Sequence, residues 1–180
     1  LQRAYAEIGL PGADLKFYKV NYQHQKFFPL TKEITLMLNG EFGLGDGYSG
    51  ETLPFFRNFY AGGMGSVRGF KSGSLGPKDV YPNDENALGG NRRLVGNAEF
   101  LMPTPGFGLD KSFRFGGFFD AGYVWATGEK MRLSDLRYSV GVSVAWASPF
   151  GPLKVSVAQP LNKKSGDQIE RFQFQMGTSF

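Results

Sequence analysis

The most constraining feature of this chain is a two-residue alternation of apolar and polar side chains, sustained over segments of about 10 to 14 residues, with no helical period anywhere. Successive side chains of a strand point to opposite faces. Each such segment is therefore a strand of a sheet with one apolar and one polar side. Over residues 15–28, Tyr18, Val20 and Tyr22 share one side and Lys19, Asn21, Gln23 and Gln25 the other. Over 33–44, Ile34, Leu36, Leu38, Phe42 and Leu44 oppose Glu33, Thr35, Asn39 and Glu41. Residues 92–102 set Leu94, Ala98, Phe100 and Met102 against Arg93, Asn97 and Glu99. Residues 112–125 set Phe113, Phe115, Phe119, Ala121, Tyr123 and Trp125 against Arg114, Gly116, Phe118, Asp120 and Gly122. The pattern repeats over 137–147, 153–158 and 171–180. Residues 53–60 are aromatic on both parities and are read as an eighth strand, and residues 1–10 as the fragment of one more.

Soluble sandwiches also alternate, so three further features decide the setting. The strands are longer than the usual five or six residues and match what a tilted strand needs to cross a bilayer. Tyr123, Trp125, Tyr138 and Trp146 stand near strand ends on the apolar faces, where amphipathic rings sit at lipid headgroups. The polar faces are rich in Gly, Ser and Ala, which suits a wet lumen. No run approaches the ~18 apolar residues of a spanning helix. The expected fold is all-β: an antiparallel transmembrane barrel wall of about eight strands. Lipid cannot satisfy backbone hydrogen bonds, so the sheet edges must close or find partners. A small closed barrel and half of a larger one both fit. The absence of an initiating Met and of a signal segment points to a piece of a longer chain.

One stretch breaks the alternation. Residues 60–76 carry six of the 26 glycines and surround Val67-Arg68-Gly69-Phe70. A long glycine-rich loop is more often functional or disordered than a plain connection, and the alternative is a flexible hairpin tip. About thirty residues without periodicity run from here to Gly89-Gly90-Asn91.

The motifs Val67-Arg68-Gly69-Phe70, Gly89-Gly90-Asn91 before the Glu99 strand, Phe118-Phe119-Asp120-Ala121-Gly122, Ser148-Pro149-Phe150-Gly151-Pro152-Leu153, Ala158-Gln159-Pro160 and an aromatic terminus together resemble the BamA family. These are the central subunits of the machinery that inserts β-barrel proteins into the outer membrane of Gram-negative bacteria. The resemblance covers residues 15–180. It implies the C-terminal half of a 16-stranded barrel, without POTRA domains or the N-terminal half. It implies a loop, residues 61–91, folded into the lumen. There Arg68 meets Glu99 and Asp120 with Phe118 beside them, Gly69 permits close approach and Phe70 packs the loop on the wall. Phe172, Phe174, Met176, Gly177 and Phe180 resemble the β-signal of outer-membrane proteins, on an edge strand that offers pairing to another. Implied partners are unfolded outer-membrane clients, outer-membrane lipid and accessory lipoproteins, with self-association of two copies one way to close the edges. A two-partner secretion transporter and a passive pore are the alternative readings.

Chemistry is sparse by contrast. There is no Cys and one His, His24, which leaves no ligand set for zinc and only one residue on which a catalytic triad could be built. Residues 65–72 lack the strand-loop-helix context of a phosphate loop, and residues 43–47 read as a turn. The charge of +4 comes from 20 basic and 16 acidic residues that are intermixed. With no basic cluster among stacking aromatics, nucleic acid is not an expected partner. No catalytic residue, metal or cofactor is expected.

Overall fold

A computed structural model describes residues 1–10, 15–79, 86–103 and 112–177. Its strands are β1 (Gln2–Ile8), β2 (Phe17–Pro29), β3 (Thr35–Gly47), β4 (Gly69–Phe70), β5 (Arg92–Pro103), β6 (Phe113–Trp125), β7 (Arg137–Ser148), β8 (Gly151–Pro160), β9 (Ile169–Glu170) and β10 (Phe172–Met176). Eight of them form one antiparallel sheet in the order β1-β2-β3-β5-β6-β7-β8-β10, and β4 pairs with β9 in a separate two-stranded ladder. The large sheet is thus a simple up-and-down meander with β1 and β10 at its edges. Among the described residues there is no α-helix.

A strand of 13 residues is about 44 Å long. Tilted as barrel strands are, it crosses the ~30 Å of a hydrocarbon core with little to spare. Residues 30–34 and 149–150 make short connections at one end of the sheet, while 48–91, 126–136 and 161–171 make long ones at the other. The faces divide by parity. Tyr22, Leu38, Phe42, Phe100, Phe119, Val142, Val157 and Phe174 are exposed on the outer side, whereas Glu99, Asp120, Ser139, Ser143, Ser156 and Gln173 are buried on the inner side. An apolar surface is exposed and a polar one covered, the reverse of a soluble protein and the arrangement of a lipid-facing wall.

What covers the inner face is residues 53–75 of the connection between β3 and β5. Phe59, Ala61, Val67, Phe70 and Leu75 pack with Val95 and Val124 of the wall into an apolar core, with Tyr123 against it.

Three expectations are corrected. Residues 53–60 are not a strand. Pro54 leads into a 3-10 turn, Phe55–Arg57, and the aromatics on both parities arise because the segment lies across the inner face. Leu53 and Phe59 turn in, Phe55 and Phe56 turn out, and Arg57 pairs with Glu7 at 3.1 Å. The eighth strand of the sheet is instead β1, whose seven residues all pair with β2. Trp125 does not face lipid: it is 2% exposed, edge-on to Tyr123 at 5.3 Å, and its indole N–H donates to Asp135 at 3.3 Å. The 126–136 connection folds over it, a tertiary contact that parity does not encode.

Candidate functional site

The loop approaches the wall as a closed hairpin. Ala61 and Leu75 bridge its ends, and the Gly63 N–H is within hydrogen-bond reach of Val67 O at 3.1 Å and Phe70 O at 2.9 Å. This turns Val67-Arg68-Gly69-Phe70 toward β5 and β6. Gly69 has φ +88°, a conformation that side chains with a Cβ avoid, and a Cβ there would lie 3.1 Å from that of Ala158.

Strand register arranges what the loop meets. Glu99 stands directly opposite Phe118, and Asn97 opposite Asp120, so one pair lies beside the other on the inner face. Arg68 enters between them. Its Nε and Nη2 donate to the two oxygens of Asp120 at 2.7 and 2.8 Å, and its backbone N–H donates to Asp120 at 3.1 Å. Its Nη1 donates to Glu99 at 3.0 Å. The guanidinium carbon lies 3.4 Å from the centre of the Phe118 ring, a cation-π contact. Arg68, Glu99 and Asp120 are all 2% exposed or less.

Burial opposes a charge on Arg68, but its hydrogen bonds and attraction to Asp120 and Glu99 outweigh that, so the group titrates above its ordinary value. Lys154 of β8 also reaches Glu99, at 3.1 Å, and Ser143 of β7 donates to it at 2.5 Å. Two cations thus meet two carboxylates and the cluster is neutral, the condition under which buried charge is tolerated. Asn97 holds the loop and the acid together, with its Nδ2 2.6 Å from Ser66 O and 2.8 Å from Asp120 Oδ1. Behind it Asn39 donates to Asn97 and Gln23 to Asn39, a row of amides running across three strands.

The structure brings Val67, Arg68, Gly69, Phe70, Glu99, Phe118 and Asp120 into one place. Phe172, Phe174 and Met176 are elsewhere, on the exposed outer side of β10. Gly177, at φ +83°, donates to Pro152 O at 3.0 Å. Phe180 lies outside the described residues. Sequence reasoning placed Asn97, Ser143 and Lys154 on the polar face without assigning them to the site, and did not single out Gln173. Their parity was readable, but the register that decides which of them lie beside Arg68 was not.

The Omp85 superfamily domain matches residues 1–180. The chain belongs to the Omp85 superfamily. Among relatives of this Omp85 chain, the outer membrane protein assembly factor BamA of Neisseria meningitidis serogroup B is 45% identical over 97% of the chain and 25% of the relative. The BamA of Neorickettsia risticii is 32% identical over 94% of the chain and 23% of the relative. The chain thus spans about a quarter of the length of these proteins. The crystal structure of BamA from Haemophilus ducreyi lacking POTRA domains 1–3 matches with a TM-score of 0.86 at 32% identity, over 94% of this chain and 36% of that one. The Omp85 sheet described here corresponds to the C-terminal half of that barrel. It is an outer-membrane wall, and its exposed apolar side faces lipid.

Proposed function

We propose that the chain is part of the central subunit of an outer-membrane assembly machinery, which folds and inserts β-barrel proteins, and that the glycine-rich loop is latched in the barrel lumen by Arg68. The observation that carries this is the burial of Arg68 between Asp120, Glu99 and Phe118. A passive wall has no need of a charged loop tip buried against two of its strands. The second working part is β10, which ends the sheet and so presents a strand edge to an arriving strand. Its outer side carries the β-signal residues Phe172, Phe174 and Met176, and Gly177 follows. Clients are unfolded outer-membrane proteins, which add by strand pairing. Lipid meets the apolar side, and accessory lipoproteins complete the assembly. The work is conformational and needs no covalent step, metal or cofactor. Neither the secretion transporter nor the passive pore is favoured by an observation.

The test is insertion of a purified barrel client into liposomes carrying the full-length protein, with Arg68 intact or replaced by Ala. The expected result is insertion slowed at least tenfold by Arg68→Ala. Unchanged insertion together with unchanged barrel stability would overturn the latch.

A further inference from the structure

Gln173 lies on β10, faces inward and is 5% exposed. Its side chain behaves as one more peptide group toward the loop. Nε2 donates to Phe70 O at 2.8 Å, and Oε1 accepts from the Gly69 N–H at 3.4 Å. Gly69 and Phe70 are also the residues that pair with β9, Gly69 opposite Glu170 and Phe70 opposite Ile169. The Lys71 N–H donates to Gln168 O at 2.9 Å. Residues 69–71 of the loop are therefore bound by residues 168–173, the run that leads into the terminal strand.

That run is fixed at its other end. Arg137, at the start of β7 and 4% exposed, donates from Nε and Nη2 to the two oxygens of Asp167 at 2.6 and 3.2 Å and from Nη1 to Asp135 O at 2.6 Å. Its guanidinium lies 4.9 Å from the centre of the Tyr123 ring. None of these groups takes part in the Arg68 cluster. The loop is thus held twice, on the wall by Arg68 and on the edge strand by Gln173.

We propose that Gln173 is a positioning residue coupling the glycine-rich loop to the terminal edge strand, with residues 161–171, pinned by Arg137 and Asp167, as the strap between them. The inference deepens the function proposed above and rests on it. If the loop leaves while β10 stays, or β10 shifts while the loop stays, the Gly69 N–H and Phe70 O lose the Gln173 amide, and that buried amide keeps only Glu170, at 3.4 Å. Unmade hydrogen bonds of buried groups are costly. The favoured states have both contacts made or both released, which is the differential interaction that coupling between two sites requires. A strand that pairs with β10 and displaces it thereby acts on the loop, and a loop leaving the wall loosens β10.

Amide hydrogen exchange on the full-length protein in lipid tests this, read on peptides covering 66–72 and 172–177. Gln173→Met keeps the side chain's length and removes its hydrogen bonds, and it is expected to speed exchange at 69–71 about tenfold. Phe174→Leu perturbs the same strand from its lipid side and is expected to leave 69–71 within twofold of wild type. Asp167→Asn, which weakens the far end of the strap, is expected to loosen 168–171 and 69–71 together. Unaltered exchange at 69–71 in Gln173→Met, with Arg68→Ala still loosening 66–72, overturns the coupling and leaves the latch standing. Unaltered exchange in both Gln173→Met and Arg68→Ala overturns both. Equal acceleration at 69–71 by Gln173→Met and Phe174→Leu also overturns the coupling, since the loop then responds to strand weakening and not to the amide.

Discussion

Asp120 takes Arg68 at both carboxylate oxygens and takes its backbone N–H as well, so one side chain on β6 fixes the guanidinium plane and the chain that carries it. A paired fork of this kind gives direction as well as attraction. An ammonium supplies a charge without the plane.

Replacing Arg68 therefore separates charge from shape. Arg68→Ala leaves Asp120 without its cation in a buried site and is expected to lower stability by about 3–5 kcal/mol. Arg68→Lys retains the charge but loses the fork and the stacking on Phe118, and more than half of that loss is expected to remain. Thermal unfolding followed by heat-dependent gel mobility measures both. A Lys variant as stable as wild type would show that charge alone holds the loop.

The Phe118 ring lies where it does because residue 141 has no side chain. A Cβ on Gly141 would come 2.6 Å from Phe118 Cζ and within 2.2 Å of Val157 O. Gly141→Ala is expected to destabilise by about 1–3 kcal/mol through overpacking and to loosen the loop. Gly117→Ala is its control, since a Cβ there meets nothing within 4 Å. Equal melting of the two variants would contradict this account.

Most of the wall could be read from parity, and the reason is physical. A sheet between lipid and a polar interior must keep one face apolar and the other polar over its whole length, so residues as far apart as Tyr22 and Phe174 obey one rule. The burial of Glu99, Phe118 and Asp120 on the polar side follows from the same rule. Their convergence on Arg68 does not. It depends on the register that sets Glu99 opposite Phe118 and on a loop whose path is fixed by tertiary contacts, and it was suggested by likeness to a family. The segment 53–60 was misread because its aromatics serve a surface that alternation does not describe. The β4 and β9 ladder was invisible for a related reason: two residues are too few to show a period.

Lys154 and Glu99 offer a test of the cluster's neutrality. Lys154→Met leaves the cluster with an excess negative charge, and Glu99→Gln with an excess positive one. Each is expected to destabilise, and the double variant by less than the sum, with a coupling of about 0.5–3 kcal/mol. Chemical denaturation of the four proteins gives the cycle. Simple additivity would mean that Lys154 serves the site only through packing.

The central claim is that assembly activity depends on one contact, between Arg68 and Asp120. The most direct measurement is the rate of client insertion for wild type, Arg68→Ala, Asp120→Ala and the double variant. If the two residues act as a unit, each single variant slows insertion at least tenfold and the double variant stays within about twofold of the slower single one, because a broken contact cannot be broken again. A double variant whose slowing is the product of the two single effects would show that Arg68 and Asp120 act independently, and the latch would not be what drives assembly.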